Sequence, residues 1–346
     1  MIVDKLYDFI YQGKQGRNKG LSTGMPKLDS VTYGIQKGWF TVIGGDSGSG
    51  KSYYTLYTSV YKSFCQYLMY KNTSTPLKVD YLIFSFEMSS EVLLARLLSM
   101  YIYDTFHKVL SYSDILSFNQ AITDSDYTIV QKSKCWLSEF EKHCTIIDKP
   151  VCADGLYAIC KEWSKNYGTY IPIDSHREDY SPHDINQNLI VLVDHIKLLS
   201  TSNGSTVKQE IDKACDYLIY FRNKCKFTIY VVQQLNRNFK SMARRTESNG
   251  LYQSIQMDDF SDSSGPIQAA ETVIALFYPA REKLMKCNGY NIKALKDRAR
   301  IITVLKNRCG VADKSVGSVF YGEVGIFVEL PKADEIEDYE QYVNLN

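Results

Sequence analysis

Residues 45–52 read Gly45-Asp46-Ser47-Gly48-Ser49-Gly50-Lys51-Ser52, a fit to GxxxxGK[ST] placed between an apolar run at 39–44 and a helix-like run that begins at Tyr53. Glycines let the backbone curl so that successive N–H groups point inward, and the helix that follows adds its positive N-terminal end. A loop of this kind is built to hold phosphate. Lys51 would reach the β- and γ-phosphates of ATP, and Ser52 would offer a hydroxyl to Mg²⁺. The competing reading is a chance glycine turn, and the strand before and helix after weigh against it.

The rest of the chain supplies the sheet that such a loop needs. Apolar runs at 79–86, 144–148, 189–194, 227–233, 272–278 and 300–306 join the one at 39–44, with helix-like stretches between them. They are near-continuous in Val, Ile, Leu and Phe, which suits strands buried on both faces and parallel crossovers. The expectation is an α/β fold, a P-loop NTPase with a mostly parallel central sheet flanked by helices. Three layers of organisation follow: an amphipathic linker-type helix and tether at 1–20, an ATPase domain at 21–330 and an acidic tail at 331–346. In the first, Val3, Leu6, Tyr7 and Ile10 share a helical face, which either caps its own domain or docks on a neighbouring subunit. Residues 168–188 and 238–265 are polar and turn-rich. The tail carries Asp334, Glu335, Glu337, Asp338 and Glu340 and reads as a solvated end.

Composition excludes several classes. With 45% hydrophobic and 23% charged residues in 346, a folded globular chain is expected rather than a disordered one. No apolar run nears the ~20 residues that span a bilayer, and two aspartates interrupt Met1–Ile10, so a cytoplasmic protein with no membrane partner is expected. Nine cysteines without a CxxC pair fit reduced thiols. His143, Cys144, Cys152 and Cys160 match no common zinc spacing and read as buried thiols near a histidine. A net charge of +1 excludes a uniformly basic coat, leaving a local patch for any nucleic-acid contact.

Two carboxylates complete the phosphate chemistry. Asp194 ends the buried run at 189–194, where a metal-shell acid of a P-loop enzyme stands; an Asp in a strand-end turn is the plainer alternative. Glu87 follows the run Tyr81–Phe86 and precedes the helix-like SSEVLLARLLSMY. Carboxyl ends of neighbouring strands converge in a doubly wound sheet, so both acids would face one γ-phosphate.

The stretches STGMPKLDSVTYGIQKGWFTVIGGDSGSGKS, FSFEMS, LIVLVDHIKLL, VVQQLNR and VLKNRCG, in that order across residues 22 to about 330, resemble the successive motifs of DnaB-type replicative DNA helicases. The resemblance implies a RecA-like P-loop NTPase core, with Lys51 and Ser52 for phosphate and Mg²⁺, Asp194 for the metal shell and Glu87 as base for the attacking water. It implies that Gln234 senses the γ-phosphate, its amide both donating and accepting. It also implies that Lys306 and Arg308 reach across a subunit boundary, where the planar guanidinium stabilises charge on the transferring phosphoryl group. A homo-oligomeric, hexameric ring follows from such an arginine; a surface Lys/Arg pair is the plainer reading. The resemblance further implies single-stranded DNA as the track, 5′ to 3′ travel and a primase or helicase loader as partner.

The resemblance places a channel loop between the sensor strand and the next, so DNA contact is expected at Arg237, Lys240, Arg244 and Arg245 and at the loop glycine Gly265; a solvated loop would read similarly. Here the sequence departs from the family. GPIQAAET at 265–272 has Gln268 where an acid is common, and Pro279 follows Tyr278 where an Arg is common. The family's amino-terminal domain, which docks primase, is expected to be absent, with the helix near 2–10 left in the linker's place. The second reading is a RecA-like ATPase that loads or remodels DNA–protein assemblies without unwinding. A metabolic P-loop kinase leaves QQLNR and KNR unexplained.

Overall fold

The computed structural model describes residues 2–16, 18–175, 177–202, 204–236, 255–260 and 265–345. In chain order the sheet strands are β1 (Phe40–Gly45), β2 (Lys78–Ser85), β3 (Cys144–Ile147), a hairpin of β4 (Gly168–Pro172) and β5 (Glu178–Pro182), β6 (Gln187–Asp194), β7 (Thr228–Gln234) and β8 (Thr272–Phe277). A small ribbon of β9 (Lys286–Cys287) and β10 (Tyr290–Asn291) follows, then β11 (Ala299–Asn307), β12 (Lys314–Tyr321) and β13 (Ile326–Glu329). Nine of them form one sheet in the order β13-β12-β11-β8-β1-β7-β6-β2-β3. From β8 to β3 every pairing is parallel. The edge from β11 to β13 is antiparallel.

This is the mostly parallel sheet the apolar runs predict. All seven runs are strands, and every residue of β1 is buried, so helices cover both faces at the centre. Helix α1 (Ile2–Lys14) precedes α2 (Pro26–Thr32). After the glycine loop, α3 (Lys51–Thr55) continues through a π-helical segment, Leu56–Tyr61, into α4 (Lys62–Tyr70). The hydroxyls of Thr55, Thr58, Ser59 and Ser63 each donate to the carbonyl four residues back, at 2.7–2.8 Å. Such back-bonding competes with the regular ladder and accompanies its widening here. Then come α5 (Ser90–Phe106), α6 (Tyr112–Ile115), α7 (Asp124–Lys132), α8 (Lys134–Glu141), α9 (Ala153–Ser164) and α10 (Val207–Cys225).

Several regions differ from the sequence reading. The polar stretch 168–188 holds the β4–β5 hairpin, in which Tyr180 is buried and donates to Ser164 O at 2.8 Å. The tail keeps its acids exposed but is not free of the domain. Ile336, Tyr339, Tyr342 and Leu345 pack on the core, and Tyr321 donates to Tyr342 O at 3.1 Å. Helix α1 does not cap its own domain: Ile2, Leu6, Tyr7, Phe9 and Ile10 are all exposed. Among the described residues no helix is long and apolar enough to cross a membrane. All nine cysteines are free thiols, and no group of three or more metal-binding side chains occurs among the described residues. His143 instead faces Asp80, Nδ1 to Oδ1, at 3.0 Å.

Candidate nucleotide site

The glycine loop leaves the central strand and turns on two residues that only glycine adopts readily, Gly48 (φ 75°) and Gly50 (φ 91°). Ser49 N–H donates to Asp46 O at 3.1 Å, closing the curl, and Tyr54 N–H donates to Gly50 O at 2.8 Å, starting α3. A side chain at Gly45 would place its Cβ 2.4 Å from the Ser49 hydroxyl, so the loop packs against the end of its own strand. In a curl of this kind the inward N–H groups and the helix end that follows suit an anion such as phosphate. Lys51 and Ser52 occupy the first turn.

Neighbouring strands deliver the remaining groups to the same edge. Ser85 of β2 pairs with Asp194 of β6, and Phe86 N–H donates to Asp194 O at 2.8 Å, so Glu87 emerges directly beyond Asp194. Asp194 is buried, and its Oδ1 has no hydrogen-bond partner among the described residues. Burial pushes its carboxyl up to about 6; the Ser52 hydroxyl, Lys51 and Arg96 act against the rise, and the nearby charge of Glu87 adds to it. Burial pulls down the adjacent His195. A buried carboxylate oxygen without a donor, beside the Ser52 hydroxyl, suits a hard divalent cation whose other ligands are phosphate and water. Gln234 ends β7 opposite Gly45 of the loop, with Leu235 N–H donating to Gly45 O at 3.3 Å. Lys51, Ser52, Glu87, Asp194 and Gln234 therefore share one edge of the sheet.

Lys306 and Arg308 do not join them. Lys306 pairs with Val273 at the start of β8, while Gly45 pairs with Leu276 near its end. Three residues of strand, about 10 Å of rise, separate the two levels, and the KNR turn lies at the far edge. There Lys306 donates to Ile267 O at 2.7 Å, and Arg308 donates to Gln268 O at 2.8 Å and lies 3.4 Å from Glu271. Gly265 opens the short helix Gly265–Ala269 beside them. Arg237, Lys240, Arg244 and Arg245 lie outside the described residues.

Sequence reasoning missed three arginines around the cradle. Arg96 of α5 stacks over Tyr53, 4.3 Å from the ring centroid. Arg281 donates to Ser47 O and stands 4.0 Å from Asp46. Arg300 donates from Nε to Ser49 O at 2.8 Å. Each meets its partner through long-range folding, and no spacing in the sequence announces it.

Residues 20–149 match the family model of the DnaB-like helicase C terminal domain. Among solved structures, one described as an ATPase domain superposes with a TM-score of 0.71 at 15% identity, covering 95% of this chain and 99% of that one. A DnaB-like replicative helicase solved with its interactions with primase superposes with a TM-score of 0.68 at 16% identity, covering 95% of this chain and 67% of that one. At these identities the likeness shows the fold alone, a large mostly parallel sheet flanked by helices. No curated protein matches the sequence significantly.

Proposed function

We propose, for a chain that carries a DnaB-type helicase domain, an ATP-driven replicative DNA helicase that works as a ring. The observation that carries this reading is the split between the two edges of the sheet. The GKS loop, Asp194, Glu87 and Gln234 gather at one edge, and Lys306 and Arg308 stand at the other. An arginine so placed serves a nucleotide held by a second copy of the chain rather than its own.

Within one site the residues divide the work. Loop N–H groups and Lys51 bind and orient the β- and γ-phosphates. Ser52 and Asp194 would hold Mg²⁺, which when bound neutralises phosphate charge. Glu87, exposed at the strand end, orients the attacking water and takes its proton. Gln234, on the strand next to the loop, senses the γ-phosphate and links it to the segment that follows. That segment holds Arg237, Lys240, Arg244 and Arg245, whose charges suit the phosphates of single-stranded DNA, bound without base specificity. Helix α1, with its apolar residues exposed, docks on the adjacent subunit, giving a ring, most simply a hexamer. The family resemblance adds 5′ to 3′ travel and a primase or loader as partner.

The altered segment Gly265–Thr272 supports a second reading, a RecA-like ATPase that loads or remodels DNA–protein assemblies. Steady-state ATP hydrolysis with and without single-stranded DNA, followed by displacement of a labelled strand from a fork, tests both. A helicase gives DNA-stimulated turnover and strand displacement; stimulation without displacement favours the remodelling role. Turnover indifferent to DNA removes both.

A further inference from the structure

Two loop carbonyls of the phosphate cradle accept from arginines that follow β8, one in the connection to β11 and one at the start of β11 itself. Arg300 stands at the start of β11 and is 4% exposed. Its Nε donates to Ser49 O at 2.8 Å, and its Nη1 donates to Asp297 O at 2.7 Å and Ala299 O at 2.8 Å. Its guanidinium lies 3.7 Å from the Tyr278 ring centroid and 5.2 Å from that of Phe320. Phe320 in turn lies where a side chain at Gly50 would point. Arg281, in the connection and half exposed, donates to Ser47 O and approaches Asp46.

A carbonyl that accepts from outside is turned away from the cavity, and in a curled loop that leaves the neighbouring N–H groups turned inward. An arginine can do this while stacked, because its planar fork and flat faces act together; a lysine ammonium has neither. The buried guanidinium of Arg300 is held by carbonyls and aromatic faces, with no ion-paired carboxylate among the described residues. Burial pulls its pKa down to about 10, and the charge of Asp297 nearby favours its charged form, which leaves it charged at neutral pH.

We propose that Arg300 and Arg281 are positioning residues of the nucleotide site, fixing the Ser47 and Ser49 carbonyls outward so that the loop is shaped for polyphosphate before it binds. This rests on the reading of residues 45–52 as an ATP site. Nothing in the motif set assigns either residue: Arg300 begins an apolar strand, and Arg281 lies beyond the Pro279 departure.

The test is equilibrium binding of fluorescent mant-ATP and mant-ADP to the wild type, Lys51→Ala, Arg300→Met, Arg300→Lys and Arg281→Gln, with thermal midpoints measured without nucleotide. Arg300→Met is expected to bind both nucleotides roughly tenfold more weakly, the scale of a lost hydrogen bond from a charged group. Arg300→Lys is expected between Arg300→Met and the wild type. Arg281→Gln, at a half-exposed position, is expected to keep its thermal midpoint and bind roughly threefold more weakly. Binding by Arg300→Met and Arg281→Gln equal to the wild type overturns the proposal, as does full rescue by Arg300→Lys, which would make charge alone sufficient. If Arg300→Met fails to fold, Arg281→Gln decides. Wild type without saturable binding, or Lys51→Ala binding like the wild type, sinks the ATP-site reading itself and not the arginine roles alone.

Discussion

Asp194 and Glu87 are both acids at strand ends, and their surroundings give them different work. Asp194 is buried with an oxygen that lacks a donor among the described residues, whereas Glu87 is exposed just beyond it. The first suits a cation and the second a water that must reach solvent. On the proposed role of Glu87 as base, Glu87→Gln keeps shape and removes that base, so ATP turnover should fall by about 10²–10⁴ while mant-ATP affinity stays near wild type. Phosphate release and binding titrations, measured side by side, check it; a variant that turns over normally assigns the base elsewhere. These acids were legible because an acid ending a buried apolar run is a chemical anomaly visible in one dimension. Arg300 was not, since its partner at Ser49 is 251 positions away and is a backbone carbonyl that any residue would present.

At the scale of elements, the interior strands announced themselves because both of their faces are buried, leaving unbroken apolar runs. On the antiparallel edge β11 did so too, but β12 and β13 did not. In β12 the run Lys314–Tyr321 opens with exposed residues and includes Gly317, which makes room for the Tyr290 ring: a Cβ there would lie 2.3 Å from it. The β4–β5 hairpin is framed by Pro172 and Pro182, which read as turn signals. The α9–α10 pair was legible as helix but not in how it is fastened. Glu210, in the first turn of α10, is buried and accepts from Ser205 Oγ at 2.6 Å, Ala153 N at 2.8 Å and the Ser202 hydroxyl. These donors, the Ser202 hydroxyl first, hold its carboxyl down at about 2. A depressed carboxyl pKa stabilises the fold fully above the ordinary value near 4.5, and that contribution is lost as pH falls toward 2. Glu210→Gln should therefore reduce stability at pH 7 by on the order of 1 kcal/mol. The difference in urea midpoints between variant and wild type should narrow as pH is lowered from about 6 to about 3. A gap that is constant with pH would assign the effect to shape rather than charge.

At the scale of the whole molecule, two features are those that the proposed ring would use. Helix α1 exposes Ile2, Leu6, Tyr7, Phe9 and Ile10, and Arg308, with its side chain 49% exposed, stands at the edge of the sheet away from its own phosphate loop. If neighbouring copies meet edge to edge, each active interface takes Glu87 from one subunit and Arg308 from the next. Glu87→Gln and Arg308→Ala should then each be nearly inactive alone, and an equal mixture should recover turnover. Half of the subunits carry an intact Glu87 and half of their neighbours an intact Arg308, so about a quarter of wild-type activity is expected from random assembly of a closed ring. Removal of residues 2–14 should lower the assembled mass seen by light scattering and abolish that recovery, because interfaces no longer form. A mixture as inactive as its parents, in samples that assemble normally, would place the arginine outside the neighbour's site and make the edge-to-edge ring untenable.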